Sequence, residues 1–113
     1  MKVKQFEIWI ADLNPQFGTE TGKTRPVLII QTDLLNKHHP STIICPITTN
    51  IKLEANILRV HLTKGLAKLK EDSDIMIDQI RAIDNRRLLK KVGVLNQEKI
   101  DVVRSNLSII LDI

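Results

Sequence analysis

Residues 6–30 read Phe6-Glu7-Ile8-Trp9-Ile10-Ala11-Asp12, then Leu13-Asn14-Pro15-Gln16-Phe17-Gly18-Thr19-Glu20-Thr21-Gly22-Lys23-Thr24-Arg25-Pro26, then Val27-Leu28-Ile29-Ile30. Two runs of β-prone residues enclose a polar stretch, and such runs bounded by Gly, Pro, Asn and Asp read as strands joined by a loop. The first strand is expected over Phe6 to Asp12, and the loop over Leu13 to Arg25. Val27-Leu28-Ile29-Ile30 is apolar throughout and of strand length, as expected of a strand buried on both faces. Connections longer than about a dozen residues are functional sites or linkers more often than idle turns. This one carries Glu20, Lys23 and Arg25, with Phe17 as a lone aromatic.

The rest of the chain continues the β pattern. Asp33 to His39 reads as a short polar turn. Thr42-Ile43-Ile44-Cys45-Pro46 reads as a third strand, ended by a proline that cannot donate to a ladder. A second polar loop spans Thr48 to Asn56. In Ile57-Leu58-Arg59-Val60-His61-Leu62 the apolar Leu58, Val60 and Leu62 alternate with Arg59 and His61, which places the two polar residues on an exposed strand face. Ile75 to Ile83 is expected as one long strand whose face Ile75, Ile77, Gln79, Arg81, Ile83 is interrupted by two polar residues. Asp84 is expected to cap a turn through Arg87, and Leu89 to Leu95 to return as a strand across Gly93. Asn96 to Leu111 is the clear helix, with Asn96 as N-cap and Glu98 in the first turn. Its main apolar face is Ile100, Val103, Leu107, Ile110 and Leu111, and Val102, Asn106, Ile109 and Ile113 form a second stripe. Short strands with one terminal helix predict a mainly β (α+β) fold, a small, strongly bent antiparallel sheet or barrel.

The 113 residues are 42% apolar and fit a single domain, 1–113. A net charge of +4 and a pI near 9.4 favour a polyanionic partner. Phe6, Trp9 and Phe17 are too few for a multi-ring stacking platform, so contacts to RNA would rest on charge and hydrogen bonds. Cys45 is the sole cysteine, which excludes an intramolecular disulfide or a Cys-rich zinc site. No run approaches the roughly 20 apolar residues of a membrane span, and the N-terminus lacks a signal-peptide core, so a soluble, cytoplasmic protein is expected, with no membrane partner. His38, His39 and His61 read as solvated residues, and neither a metal site nor a cofactor is expected.

Three segments in order carry a resemblance. The first is Ile8-Trp9-Ile10-Ala11-Asp12-Leu13-Asn14-Pro15 with Gly18, Glu20 and Lys23-Thr24-Arg25-Pro26-Val27-Leu28. The second is Pro46-Ile47-Thr48-Thr49. The third is Asp72-Ser73, Asp78-Gln79-Ile80-Arg81-Ala82-Ile83-Asp84 and Arg87-Leu88. Together they resemble the MazF/PemK toxins of bacterial type II toxin-antitoxin pairs over nearly the whole length. One departure is visible: the family commonly has Gly before its acidic residue, where this chain has Phe6 before Glu7. The resemblance implies an SH3-like antiparallel β-barrel with a C-terminal α-helix, a homodimer, and a cognate antitoxin that blocks the groove. It also implies a metal-independent endoribonuclease that cuts single-stranded RNA at a short sequence.

Such cleavage uses the RNA 2′-hydroxyl as nucleophile and leaves a 2′,3′-cyclic phosphate and a 5′-hydroxyl. Arg25 matches the family's catalytic arginine, and its planar fork suits phosphate oxygens. Thr48 offers a donor for the developing oxyanion, and Glu20 either orients Arg25 or accepts a proton from the 2′-hydroxyl. Phe17, Thr49, Ser73, Gln79, Arg81 and Arg87 are candidate RNA contacts, with Phe17 suited to stack on an unpaired base. Plainer readings stand beside these: Arg25 salt-bridged to Glu20, Thr48 capping a turn, Arg81 or Arg87 paired with Asp78 or Asp84. Two other functions fit the same fold, a toxin that binds a protein target such as DNA gyrase and a non-catalytic RNA-binding module. The gyrase-poisoning relatives rely on a C-terminal Trp-Gly-Ile, whereas this chain ends Leu111-Asp112-Ile113.

Overall fold

A computed structural model describes residues 2–113. The strands are β1 (Glu7–Asp12), β2 (Thr24–Ile29), β3 (Ser41–Thr48), β4 (Arg59–Leu62), β5 (Ser73–Met76), β6 (Arg81–Asp84) and β7 (Leu88–Val94). The helices are α1 (Asp33–Asn36) and α2 (Gln97–Leu111), and 3-10 turns occupy Leu66–Lys68, Ile77–Gln79 and Asn85–Arg87. All seven strands join in one antiparallel sheet ordered β4-β5-β3-β2-β1-β7, with β6 also on β3. The sheet is not closed into a ring, although its bend gives the barrel-like form expected.

Strand β3 organises this sheet. One edge pairs with β2, while the other pairs with β6 over Ser41 to Ile44 and then with β5 over Ile47 and Thr48. Pro46 therefore does not end the strand. The Ile43 carbonyl accepts from the Ile30 and Gln31 N–H groups on the β2 side, so two-residue alternation turns the Pro46 nitrogen to the other edge. There it lies at the step where β6 leaves off and β5 begins, and its missing N–H costs no ladder bond.

The same step breaks the expected long strand Ile75 to Ile83. Because β5 and β6 occupy successive parts of one edge, the chain between them jogs through the Ile77–Gln79 turn. The Ile77 N–H turns to the Leu58 carbonyl. Gln79 and Arg81 accordingly do not continue the face of Ile75.

The central strands are buried on both sides. Ile8, Leu28, Cys45, Ile47, Val60 and Ile75 pack with Val103 of α2 in one core, and Trp9, Ala11, Val27, Ile29, Ile44, Ile83 and Leu88 form a second. Burial pushes the Cys45 thiol up to about 12, with a smaller push from Asp78. Asn96 caps α2 by accepting from the Lys99 N–H at 2.9 Å, as expected. The helix's main apolar face meets the first core, except for the exposed Leu111. Its second stripe is divided, for Val102, Ile109 and Ile113 are exposed while Asn106 is buried and donates to the Asn56 carbonyl. Among the described residues no helix is long and apolar enough to cross a membrane.

Phe6 resolves the departure at the first strand. Its φ of +67° lies in the left-handed region that glycine favours, at a cost of about 1–2 kcal/mol for a residue with a side chain. The ring is buried and carries the Arg104 guanidinium 5.0 Å from its centre. Burying a phenylalanine contributes about 1.5–3 kcal/mol, enough to offset the backbone term.

Next to it, buried Glu7 accepts from the Trp9 indole at 3.0 Å and the Lys4 N–H at 2.9 Å, and pairs with Lys91 at 2.9 Å. Burial alone would raise its pKa, but these partners outweigh it and hold the carboxyl below its ordinary 4.5. A carboxylate with a lowered folded value stabilises fully above its unfolded value, and that contribution is lost as pH falls through the folded one. Urea unfolding across pH should show wild type losing stability more steeply below pH 4.5 than Glu7→Gln, and equal slopes would contradict this account.

Candidate active site

The β2–β3 ladder sets Ile29 opposite Ile44, Leu28 opposite Cys45 and Val27 opposite Pro46. The paired register ends there, and Arg25 on β2 and Thr48 on β3 each lie two residues beyond its last pair, so two-residue alternation puts both side chains on the face of Val27 and Pro46. Thr48 in turn lies opposite Asp74 on β5, and Asp74 opposite His61 on β4. Thr48, Asp74 and His61 thus form one row across three adjacent strands, and Arg25 lies on the same face at the neighbouring end of β2. Arg25 is part of β2, so the first loop ends at Lys23, two residues earlier than expected.

Arg25 is half-buried, and burial pushes its guanidinium below its ordinary value. Its Nε donates to the Gly22 carbonyl at 2.7 Å. Glu20 is exposed and forms no ion pair with Arg25, so neither the surface salt bridge nor the orienting role falls to it. A main-chain carbonyl in the loop orients the arginine instead. The Thr48 hydroxyl is buried and accepts from the Asn50 N–H at 3.1 Å, which leaves its own hydrogen free to donate.

The first loop lies against β5 and β6. Thr21 contacts the Met76 sulfur at 3.5 Å, and Arg81 approaches the Thr21 carbonyl at 3.5 Å. Arg87 donates to the carbonyls of Asp12, at 2.9 Å, and Asn14, which ties down the start of that loop. Arg86 is the residue that pairs with Asp84, and together with the Asp84 cap it draws that carboxyl down to about 2. Gln79 is half-buried, and Phe17 projects into solvent at 82% exposure.

Thr49 and Ser73 face elsewhere. Both line a cavity of about 470 Å³ floored by Ile10, Pro26, Leu69 and Val92 and rimmed by Lys68, Lys70, Lys90 and Lys91. The Ser73 hydroxyl is engaged with the Glu71 carbonyl at 2.9 Å. The structure therefore puts Arg25 and Thr48 on one face of adjacent strands and turns Arg81 to the loop residue next to the one that holds Arg25, but sets Thr49 and Ser73 in the cavity on the opposite side of the sheet.

The solvated reading of Arg59 and His61 is overturned. Asp74 is fully buried and accepts from His61 Nδ1 at 2.6 Å, Arg59 at 3.0 Å and the Lys52 N–H at 2.9 Å. Burial opposes ionisation of this carboxyl, yet its donors prevail and keep it below its ordinary range. The clue in the sequence was the alternation in Arg59-Val60-His61-Leu62, which puts an arginine and a histidine on one strand face and so calls for an acceptor across from them. Among the described residues no three His, Cys, Asp or Glu side chains cluster as a metal site.

Fold and site together define a small, basic β-sheet domain with an arginine and a threonine on one face of adjacent strands, between two polar loops. The chain belongs to the PemK-like, MazF-like toxin family of type II toxin-antitoxin systems, whose family model matches residues 4–111. It is 38% identical over 109 residues to the endoribonuclease MazF of Staphylococcus epidermidis, covering 96% of this chain and 91% of that one. The fold matches MazF of Deinococcus radiodurans with a TM-score of 0.84 at 22% identity, over 100% of this chain and 99% of that one. A MazE-MazF structure from Deinococcus radiodurans matches with a TM-score of 0.78 at 21% identity, over 100% and 98% of the two chains.

Gly22 is the hinge of the arginine's geometry, because a Cβ there would sit 2.5 Å from the Gln16 Cβ. Gly22→Ala should displace the loop and release Arg25. By NMR, the Arg25 Nε–H should exchange with solvent several-fold faster than in wild type, with the β-sheet amides unchanged, and an unchanged Nε–H would refute the role given to the Gly22 carbonyl.

Proposed function

We propose that this chain, acting as a single domain, is the toxin of a type II toxin-antitoxin pair and a metal-independent, sequence-specific endoribonuclease working on single-stranded RNA in the cytoplasm. The observation that carries the reading is the placement of Arg25 and Thr48 on one face of adjacent strands, each two residues beyond the Val27–Pro46 pair. Family membership and the 38% identity to an endoribonuclease support it.

In this mechanism the RNA 2′-oxygen attacks the adjacent phosphorus as it loses its proton, and the bond to the 5′-oxygen breaks as that oxygen gains one. The products are a 2′,3′-cyclic phosphate and a 5′-hydroxyl. Arg25, oriented through Nε by Gly22, presents its remaining N–H groups to the phosphate oxygens as negative charge develops. Thr48 donates its free hydroxyl hydrogen to the same oxyanion. Glu20, free of Arg25 and exposed, takes the role of proton acceptor. Phe17 offers a stacking surface to an unpaired base, with Gln79 and Arg81 along the groove. Arg87 acts through the loop it anchors. Thr49, Ser73 and the surrounding lysines meet flanking RNA or hold it by charge. A homodimer would place two such sites in one particle, and a cognate antitoxin would occlude them, as MazE accompanies MazF in the Deinococcus radiodurans structure.

Purified protein incubated with a long RNA in EDTA should cut at a recurring short sequence and leave 5′-hydroxyl ends. Arg25→Ala and Thr48→Ala should each lower the rate by about 10²–10³, the usual loss when one oxyanion donor is removed, while unfolding like wild type. RNA bound but never cut would favour a binding module, and inhibition of DNA gyrase without RNA cleavage would favour the protein-targeting alternative.

A further inference from the structure

Thr48 sits at the end of β3, where the polar loop from Thr49 to Leu58 begins. A hydroxyl in that position is only as well placed as the loop beyond it. The structure joins the two through a short chain of hydrogen bonds. Asn50 gives its N–H to the Thr48 hydroxyl at 3.1 Å, and its carbonyl accepts from Arg59 at 3.1 Å. The same Arg59 nitrogen reaches Asp74 Oδ2 at 3.0 Å, and the Lys52 N–H meets that oxygen at 2.9 Å. Residues 50 and 52 are thus both tied to one buried carboxylate, directly or through a single arginine.

An ionised carboxylate at 0% exposure is costly unless its oxygens are fully engaged. Here Oδ2 is taken by Arg59 and Lys52, and Oδ1 by His61 Nδ1 at 2.6 Å. The other imidazole nitrogen, Nε2, is shielded from solvent and has no partner among the described residues. The ring's one hydrogen bond is therefore made to Asp74, and Asp74 keeps no free oxygen for a substrate. None of this is needed to hold the sheet edge, where β4 and β5 pair through their backbones.

Resting on the reading of Thr48 as an oxyanion donor, we propose that Asp74 is a positioning residue for cleavage: with Arg59 and His61 it clamps the loop at Asn50 and Lys52 and so aims the Thr48 hydroxyl. Loosening the clamp misaligns Thr48 without removing it. Displacements of about 1 Å in a reacting group can cost about 10²-fold in rate, so the loss falls on kcat rather than on KM.

The decisive comparison is Lys52→Pro against Lys52→Ala. Both lose the ammonium group, but only proline loses the N–H that Asp74 binds, and the contacts of Arg59 and His61 with Asp74 stay in place. With a short RNA containing the site cut by wild type, Lys52→Pro should show kcat about 10–100-fold below Lys52→Ala, with KM within about threefold. Its Asn50 amide should exchange faster while the β3 and β5 amides do not. Asp74→Asn should lower kcat in the same way, and the Asp74→Asn, Lys52→Pro double variant should be no slower than the slower single variant, because both cut one link. Equal kcat for the proline and alanine variants, a loss confined to KM, or additive losses in the double variant would overturn the proposal. If Asp74→Asn does not fold, the Lys52 pair decides alone. If wild type cleaves no RNA, the enzyme reading fails, and Asn50 exchange still decides whether the clamp exists: unchanged exchange in Lys52→Pro overturns it.

Discussion

A strand has two edges, and β3 divides one of its own between two partners. That division, at the residue that lacks an N–H, shapes what surrounds it. Were the edge paired with a single strand throughout, Pro46 would leave a hole in the ladder and the chain from Ser73 to Asp84 would run straight. Because the partner changes at Pro46, β5 and β6 separate, the sheet bends, and the Ile77–Gln79 turn fills the gap. Beyond the step, β5 continues along β3 just far enough to set Asp74 opposite Thr48. The row of Thr48, Asp74 and His61 and the bend of the sheet thus have a common origin.

The two faces of the sheet are used differently. One carries Arg25 and the row from Thr48 to His61, whose charges are matched at short range by a carbonyl or a carboxylate. The other opens into a cavity with an apolar floor and four lysines at its rim, one of which, Lys91, is paired with Glu7. Short-range pairing fixes geometry and survives salt, whereas a lysine rim acts over distances that ionic strength screens. The first face suits chemistry at one phosphate, and the second suits attraction of a polyanion or an acidic chain.

Much of the fold was legible in order along the chain. Val27 to Ile29 announced a strand buried on both faces, and Asn96 announced the start of α2. Asp84 announced the 3-10 turn that follows it, where it accepts from the Arg86 N–H. Each of these signals is local. The readings that failed depend on what lies across the sheet. Pro46 looks like a strand terminator until the neighbouring edge is known to change partners. Ile75 to Ile83 looks continuous because alternation is preserved on either side of the turn. His61 and Asp74 are thirteen residues apart in the chain, so the pairing that satisfies the buried carboxylate could not be read from either segment alone. The site shows the same division: Arg25 and Thr48 stood out through their motifs, while the carbonyl of Gly22 and the carboxylate of Asp74, which have no motif, orient them.

Cys45 is the chain's only thiol, it is wholly buried between β2 and β5, and burial keeps it protonated far above neutral pH. Thiolate is the reactive form, so maleimides and iodoacetamides should pass this residue by while the protein stays folded. The natural chain therefore behaves as a cysteine-free background. Cysteines placed at Thr19 and at Leu53, one on each exposed loop, would alone take a pair of spin labels, and the separation of the two loops could be followed directly as ligands come and go.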